Sequence, residues 1–363
     1  SGSASTEFPS RYDPRMPVRL VSASLVLSVS AIRQQHLRAA QLQQQPAYCD
    51  QGFDAPNGTR CPNATWVDEM VRVDPSPGKV IMDVGCNKGD DAIEWLERWD
   101  TSPSPRGFFS KFRWIKYMAD ELGIGNYSCP LSLPRVKARK LRATVEGGSS
   151  NTAVCVEPVK GTVDALRVAA SAFGYMNKTE FGSFHVVQAA VVDRAELGDV
   201  AQFPDLAPGT EQGSLSRGTK KGSLPYATTP VPLMTVDRIM QDLQLPKIDI
   251  LTIDTEGFDP AVLRGAKTAL RSTRYLEFEV HRDISPSPWH QTTLKSVIDE
   301  LSEQDFDCFW AGENERLLSI NLCWSDRFET RMWSNVACVK RRDPWWDVLR
   351  RFAGIGNAST QPL

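Results

Sequence analysis

The segment VIMDVGCNKGDDAIEWLERW, residues 80–99, combines the signals of a strand, a glycine loop and a helix in one short stretch. The apolar, β-branched run 80–84 is typical of a buried strand. Gly85 and Gly89 frame a turn, because glycine tolerates positive φ and lets a ligand approach the backbone closely. The apolar residues that follow recur at helical spacing, at Ala92, Ile93, Leu96 and Trp99. The segment therefore predicts a strand–loop–helix unit with a binding site at its loop.

The glycine loop does not have the spacing of a dinucleotide site. Such a site requires Gly-x-Gly-x-x-Gly, whereas here only Gly85 and Gly89 are present. Asp90 and Asp91 open the helix, so they would repel a pyrophosphate but accept a zwitterionic amino acid. A nicotinamide-dependent sugar dehydrogenase or epimerase would also need a Tyr-x-x-x-Lys pair, which the sequence lacks. The pattern disfavours that class of enzyme.

Apolar runs further along the chain alternate with amphipathic segments. The predicted strands are residues 152–156, 184–191, 248–253 and 275–280. The predicted helices are residues 162–173, 235–243 and 260–270. Runs near the end, at residues 308–310, 317–323 and 336–339, suggest a terminal antiparallel hairpin. The alternation predicts an α/β fold with a mostly parallel sheet covered by helices on both faces.

The predicted domain spans residues 76–345, after an N-terminal extension or stem of residues 1–75 and before a tail of residues 346–363. The stem lacks a clean strand–helix rhythm, although residues 31–45 could form a helix. Two insertions, about 100–150 and 194–232, interrupt the domain. The first carries the basic run 135–142, which is either a cap for an acidic or phosphorylated acceptor or the solvated face of a structural insert.

Acidic residues follow four of the predicted strands, where ligands bind in an open parallel sheet. The acidic residues are Asp83, Glu157, the group Asp254, Glu256 and Asp259, and Glu279. Glu279 is accompanied by His281, two residues further on. A carboxylate at Glu157 can accept hydrogen bonds from ribose hydroxyls. Neighbouring carboxylates raise one another's pKa, and histidine takes a proton near neutral pH, so the later groups suit acid–base chemistry.

Several segments in this order resemble the FkbM-type methyltransferase family. They are Asp83–Gly89, Val156-Glu157-Pro158, Ala189-Ala190-Val191, Ile253–Gly257 with Val262–Ala266, and Glu277–His281. The resemblance implies a Rossmann-like class I fold that uses S-adenosyl-L-methionine to methylate a hydroxyl, often on a sugar or polyketide. The first insertion is longer than this family leads us to expect, and Cys86 stands where alanine is common.

The resemblance also implies roles for individual residues. Asp83, Gly85, Asn87 and Gly89 would hold the methionine part of the donor and Glu157 its ribose; Cys86, Ala190 and Asp254 complete the predicted donor site. Asp254 and Glu256 would sit at the reaction centre. We expect His281 or Asp254 to take the proton of the acceptor hydroxyl, with Glu256 orienting it. No metal is expected.

Two features predict the lumen of the secretory pathway (Golgi or endoplasmic reticulum) or secretion. The first is a set of five Asn-x-Ser/Thr acceptors, at Asn57, Asn63, Asn126, Asn177 and Asn357. The second is eight cysteines. Cys49 and Cys61 flank a loop that suits a disulfide, and Cys308, Cys323 and Cys338 could supply another; Cys86 and Cys155 are interpreted as buried free thiols. The acceptor would then be a glycan or a glycosylated small molecule.

The overall composition restricts the partners. The chain has 363 residues, a net charge of -2 and a hydrophobic fraction of 41%, which predicts no nucleic-acid partner and no membrane contact. The opening Ser1-Gly2-Ser3 is typical of a cloning remnant, so an anchor may have been removed before it. Two alternatives remain: a non-catalytic module that binds a glycan or protein, and a cytosolic methyltransferase with unused acceptor sites and reduced cysteines.

Overall fold

The computed structural model describes residues 49, 64–104, 107–127, 129, 133–138, 150–195, 198–211, 227–281, 287–312, 315–331 and 334–356. Apart from Cys49, these belong to one unit, Gln51–Leu363. The predicted helix 31–45, Cys61 and the sites Asn57, Asn63 and Asn357 lie outside the described residues. Within the described ranges, no helix has the length and apolar character needed to cross a bilayer.

The strands of the described chain form two sheets. Their bounds are β1 Val80–Val84, β2 Asn151–Glu157, β3 Gly182–Gln188, β4 Ala190–Val191, β5 Val200–Pro204, β6 Thr228–Met234, β7 Ile250–Ile253, β8 Tyr275–Val280, β9 Phe306–Ala311, β10 Leu317–Ser319 and β11 Ser334–Lys340. The large sheet has the order β10-β9-β11-β8-β7-β1-β2-β3, and the small sheet has the order β4-β6-β5.

Helices cover the large sheet. Their bounds are α1 Thr65–Val73, α2 Asp90–Arg98, α3 Lys111–Asp120, α4 Lys160–Ala172, α5 Val236–Asp242, α6 Asp259–Arg264, α7 Ala269–Ser272, α8 Leu294–Glu303 and α9 Pro344–Phe352, with short 3₁₀ turns at Pro288–His290 and Asp326–Thr330. Both β1 and β8 match their predicted bounds, and α2 begins at Asp90 as expected.

The strand order places a switch point at β1. This strand pairs in parallel with β2 on one side and with β7 on the other, so the chain winds in opposite directions from it. Strands β8, β11, β9 and β10 then pair antiparallel in succession. The predicted fold class, a mostly parallel sheet with an antiparallel C-terminal part, is confirmed. Ligands bind at such a switch point, outside the carboxyl ends of the strands.

Two predicted elements are divided. The run 184–191 is not one strand: β3 ends at Gln188, and Ala190–Val191 leaves the large sheet to pair with Leu233–Met234 of β6, a strand of the second insertion. The predicted helix 260–270 ends at Gly265, where a Cβ would lie 2.4 Å from the carbonyl oxygen of Val192. The first break lies where the second insertion pairs with the core, and the second lies where Gly265 packs against the backbone of Val192.

Helix α1 lies before the predicted start of the domain at residue 76, and α9 extends past its predicted end at residue 345, yet both contribute to the core. Trp66 of α1 and Trp345 of α9 are fully buried. The indole N–H of Trp66 donates to Tyr275 Oη on β8 at 3.1 Å, and that of Trp345 donates to the carbonyl of Met70 at 3.1 Å. Residues 65–73 therefore form a regular helix, although the sequence suggested no rhythm there.

The prediction of free thiols at Cys86 and Cys155 is wrong, because these residues form a disulfide with each other. The amides of Gly85 and Cys86 both donate to the carbonyl of Val156, at 2.9 and 3.2 Å, which brings Cys86 beside Cys155 on β2. A second disulfide joins Cys308 to Cys338, directly opposite each other on β9 and β11. Cys49, Cys129 and Cys323 are also disulfide-bonded.

Candidate functional site

The glycine loop lies at the carboxyl end of β1, against the end of β7. Gly85 has φ +85°, in the left-handed region that favours glycine. A Cβ at this position would lie 1.7 Å from the carbonyl oxygen of Asp254. Gly89 also has positive φ, +72°, and precedes the first residue of α2. The two glycines thus allow β1 to turn tightly into α2 beneath a cavity.

Asp83 is the last polar side chain of β1 before this loop. It is 6% exposed, and its Oδ1 accepts a hydrogen bond from the Thr252 hydroxyl at 2.7 Å. Its Oδ2 has no hydrogen-bond partner among the described residues. Burial, followed by the nearby Asp91 carboxyl, raises the pKa of Asp83 well above its usual value. A cationic group or a hydrogen-bond donor of a ligand would give Oδ2 a partner and would stabilise the ionised form of the Asp83 carboxyl.

Glu157 ends β2 on the other side of the loop. Its Oε2 accepts from the amide of Asn87 at 3.1 Å and its Oε1 from the amide of Val159 at 2.8 Å. Burial raises the pKa of this carboxyl to about 7. Because each carboxylate oxygen can accept more than one hydrogen bond, Glu157 retains capacity for ligand hydroxyls.

An apolar slot adjoins Glu157. Val159, Ala190, Phe203 and Val231 form a buried cluster, and the first three of them line the cavity. Ala190 was predicted to belong to the donor site. Phe203 was not, because it lies on β5 of the second insertion, where sequence pattern gave no sign of a binding role. The slot has the flat apolar character that suits a planar ring.

On the far side of the loop, Asp254, Glu256 and Glu279 face the cavity. The side chains of Asp254 and Glu279 are hydrogen-bonded to each other, and the backbone N–H of Glu256 donates to Asp254. Asp254 is exposed to the cavity, and protein atoms surround it on its other sides. This enclosure and the neighbouring Glu279 raise its pKa well above its usual value. The raised pKa favours uptake of a proton by the pair at the cavity wall.

His281 lies behind this pair and does not line the cavity. Its Nε2 is 2.5 Å from Glu279 Oε2 and 3.9 Å from Glu256 Oε2, and the residue is only 4% exposed. His281 therefore reaches the cavity through Glu279 and does not itself line the cavity, although the sequence placed it at the reaction centre. Asp259 is fully buried at the start of α6 and is likewise absent from the cavity wall.

The first turns of α2 add three carboxylates around one lysine. Lys111 Nζ lies 3.4 Å from Asp90, 3.0 Å from Asp91 and 2.6 Å from Glu94. Burial and the Asp91 charge raise the pKa of Asp90 to about 6. Attraction to Lys111 lowers the pKa of Asp91, whose side chain is 71% exposed toward the cavity. This corner is therefore strongly acidic despite the lysine.

The cavity between these groups has a volume of about 870 Å³. The predicted residues that line it are Asp83, Gly85, Cys86, Asn87, Glu157, Ala190, Asp254 and Glu256. Of the predicted set, Gly89 and His281 stand back from it. Residues that line it without having been predicted include Trp95, Tyr127, Phe203, Glu211, Glu277 and Asn335. Most of these come from insertions or from the middle of strands, where no local motif marks them.

Both insertions contribute to the cavity rim. Lys88, from the glycine loop, forms an ion pair with Glu211, donates to the carbonyl of Gly209 at 3.2 Å, and lies 4.8 Å from the centre of the Tyr127 ring. In the basic run of the first insertion, Lys137 pairs with Glu97, and Arg135 lies 3.6 Å from Glu315. The described part of that run is thus engaged in ion pairs with the protein itself.

The groups at the cavity do not form a preorganised metal cage. Within the described ranges, no set of three or more His, Cys, Asp or Glu side chains is placed to hold a metal ion. The arrangement instead combines a glycine loop, a carboxylate beside an apolar slot, and a hydrogen-bonded pair of carboxyl groups. Such a site can bind a nucleoside-like ligand and receive a proton from a second molecule.

A family model described as the methyltransferase FkbM domain matches residues 55–308. The chain is also similar to methyltransferase FkbM from Methylobacillus flagellatus KT, known from a crystal structure at 2.20 Å resolution, with 10% identity and a TM-score of 0.34. That likeness covers 73% of this chain and 44% of the other, so the chain spans less than half of that protein's length. No curated protein matches the sequence.

The family match covers well over half of the chain and includes the glycine loop, Glu157, the Asp254 turn and His281. The chain therefore belongs to the FkbM methyltransferase family.

Proposed function

We propose that the chain is an S-adenosyl-L-methionine-dependent O-methyltransferase. The observation that carries this proposal is the meeting of Gly85, Asp83 and Glu157 at one edge of the sheet, beside the apolar slot. The orphaned Oδ2 of Asp83 fits the donor's ammonium group, Glu157 fits its ribose hydroxyls, and the slot of Val159, Ala190 and Phe203 fits its adenine. The remaining cavity would hold the acceptor.

The donor would supply an electrophilic methyl group on a sulfonium, so the protein's task is mainly alignment. With the donor bound, its methyl group would pass from sulfur to the acceptor oxygen, leaving S-adenosylhomocysteine, and the protein would take up the hydroxyl proton. The carboxyl pair of Asp254 and Glu279 is the group that can receive it, with His281 stabilising Glu279 from behind. Glu256 orients this group through its backbone N–H to Asp254.

The compartment is part of the same proposal: we expect the protein to work in the secretory lumen on a glycan or glycosylated acceptor. The disulfides Cys86–Cys155 and Cys308–Cys338 support an oxidising compartment. The glycosylation sites Asn126 and Asn177 are both exposed, as their modification would require.

The deciding experiment is calorimetric titration with S-adenosylhomocysteine, on the wild type and on Asp83→Ala. Micromolar binding to the wild type, weakened at least about tenfold in the variant, would support the donor site. If S-adenosylhomocysteine does not bind to the folded wild type, the proposal is wrong, and a non-catalytic glycan-binding or protein-binding module is favoured instead. Production of S-adenosylhomocysteine from S-adenosylmethionine with a panel of hexoses would then identify the acceptor.

The pKa of Glu157 predicts how donor binding depends on pH. Ribose hydroxyls donate to the ionised carboxylate, so binding favours the charged form, which is scarce below about pH 7 in the free protein. The affinity for S-adenosylhomocysteine should therefore rise about tenfold between pH 6 and pH 8. Titrations across this range would measure it. In Glu157→Gln the part of the rise due to this group should vanish, and a variant with the same pH dependence as wild type would contradict the assignment.

A further inference from the structure

The cavity extends beyond the donor loop onto the face of the large sheet. Asp83 on β1, Thr252 on β7 and Glu277 on β8 are successive partners in register, so their side chains stand in one row on the same face. Asn335 on β11 donates to Glu277 at 2.9 Å. These four residues and Trp95 of α2 all line the cavity. We call this group of five the sheet-face compartment.

A row of carboxylates is unusual on the covered face of a sheet, where apolar side chains normally pack. Glu277 accepts from Tyr275 Oη at 2.7 Å and from Asn335, so its position is well defined. Asp83 has only the Thr252 hydroxyl as a partner and keeps one buried oxygen unsatisfied within the described structure. Buried polar atoms normally have partners, so the row is arranged for groups that bring positive charge or donors: the methyl donor's ammonium group at Asp83, and a second such group at Glu277.

The charges around the compartment do not balance. Asp83, Glu277 and the α2 carboxylates of Asp90, Asp91 and Glu94 lie together at this end of the cavity, with Asp68 at its edge. The cations that line the same end are Lys111, shared by the three α2 carboxylates, Arg98, which pairs with Asp68 and Glu94, and Arg135, which lies 3.6 Å from Glu315. Six carboxylates thus face three cations. The methyl donor carries one net positive charge, so it leaves most of the excess in place.

We propose, building on the function above, that the acceptor is a hydroxylated amine whose ammonium group binds the Glu277 end of the sheet-face compartment, while the donor's ammonium group binds Asp83. A protonated amine has no lone pair, so this group anchors the acceptor and does not receive the methyl group. The acceptor hydroxyl is then presented to Asp254 and Glu279, on the neighbouring part of the cavity wall. Trp95 adds an indole at the wall, which is favourable beside a cation.

The same residues argue against two other ligands. An acidic or phosphorylated acceptor would be repelled by the row, and the described basic residues of the run 135–142, Arg135 and Lys137, are already paired with Glu315 and Glu97. A divalent metal would need its ligands gathered round one point. Asp83 and Glu277 are instead two strands apart, roughly 10 Å at the backbone, and no described set of side chains is placed as a metal cage.

The test is calorimetric titration of the S-adenosylhomocysteine-saturated protein with three polyols of matched chain length. Glucamine carries an alkyl amine that is protonated at about pH 7.5, sorbitol is neutral and gluconate is anionic. We expect glucamine to bind at least about tenfold more tightly than sorbitol, and gluconate to bind more weakly than either. Added salt should weaken glucamine binding and leave sorbitol binding unchanged.

Variants assign the preference to the compartment. Glu277→Gln should reduce the preference for glucamine over sorbitol to less than about threefold, with S-adenosylhomocysteine affinity within about twofold of wild type. Glu303→Gln, the same change at an exposed position of α8, should keep the wild-type preference. If Glu277→Gln does not fold, Asp91→Asn provides the same test at a side chain open to the cavity.

Several results would overturn the proposal. They are equal binding of glucamine and sorbitol, a preference that survives both variants, or displacement of glucamine by Mg²⁺ at similar concentration, which would point to a metal site. Failure of the methyltransferase proposal gives a different result. In that case S-adenosylhomocysteine does not bind, and titration of the protein without it still reports the preference for glucamine.

Discussion

Gly85→Ala is expected to abolish S-adenosylhomocysteine binding and to lower the free energy of unfolding by about 2–4 kcal/mol. The new Cβ would lie 1.7 Å from the carbonyl oxygen of Asp254, a backbone atom that cannot rotate away. The backbone at Gly85 also has φ +85°, which strains any other residue. The loop would have to separate from the end of β7, so the donor's contacts at Asp83 and Glu157 would no longer be aligned.

Gly174→Ala is the matched control for this prediction. Gly174 also has positive φ, +71°, but a Cβ there would meet nothing within 4 Å. Gly174→Ala should lower the free energy of unfolding by only about 1 kcal/mol and leave donor binding unchanged. Urea denaturation and calorimetric titration measure the two effects. If Gly85→Ala bound S-adenosylhomocysteine like the wild type, or unfolded at the same urea concentration as Gly174→Ala, the close approach of the two loops would not exist in solution.

Glu279→Gln is expected to lower kcat by about 10²- to 10³-fold while changing S-adenosylhomocysteine affinity less than about threefold. Glutamine keeps the shape of the side chain but cannot take the acceptor's proton together with Asp254. It also removes the carboxylate that contacts His281 Nε2. Turnover would be measured as S-adenosylhomocysteine production with the most active acceptor of the hexose panel. A variant with normal kcat would remove the carboxyl pair from the mechanism.

Variants of His281 should show a smaller loss of kcat than Glu279→Gln. If His281 acts through Glu279, His281→Ala should reduce kcat by about tenfold, less than Glu279→Gln does, and His281→Gln should recover part of the loss because it retains an N–H donor. The Michaelis constant for the acceptor should change little in both variants, since His281 does not line the cavity. A larger loss in His281→Ala than in Glu279→Gln would instead make the histidine the direct proton acceptor.

The acidic character of the cavity also affects how these measurements are made. Burial raises the pKa of Glu157 and Asp259 to about 7 and that of Asp90 to about 6, so several carboxyls titrate near neutral pH. Comparisons between variants are therefore best made at one pH above this range, where Glu157, Asp259 and Asp90 are ionised in the wild type. Changes in binding or turnover at lower pH can then be assigned to individual carboxyl groups by comparing the Asp→Asn and Glu→Gln variants.

Local sequence pattern was sufficient for the framework of the site. The β-branched run 80–84, the two glycines after it and the helical spacing from Asp90 define backbone conformations over a few neighbouring residues. Strand ends were predicted within two residues for β1, β2, β7 and β8, and their polar residues consequently meet at one sheet edge. The fold class and the family followed from these local signals.

Long-range packing decided the rest, because it depends on which surfaces meet rather than on local preference. Cys86 and Cys155 are 69 residues apart, and only the pairing of β1 with β2 makes them a disulfide. His281 was placed correctly at a strand end, but whether it faces the cavity depends on Glu279 standing in front of it. The sheet-face compartment requires the register of four strands, which no local motif encodes.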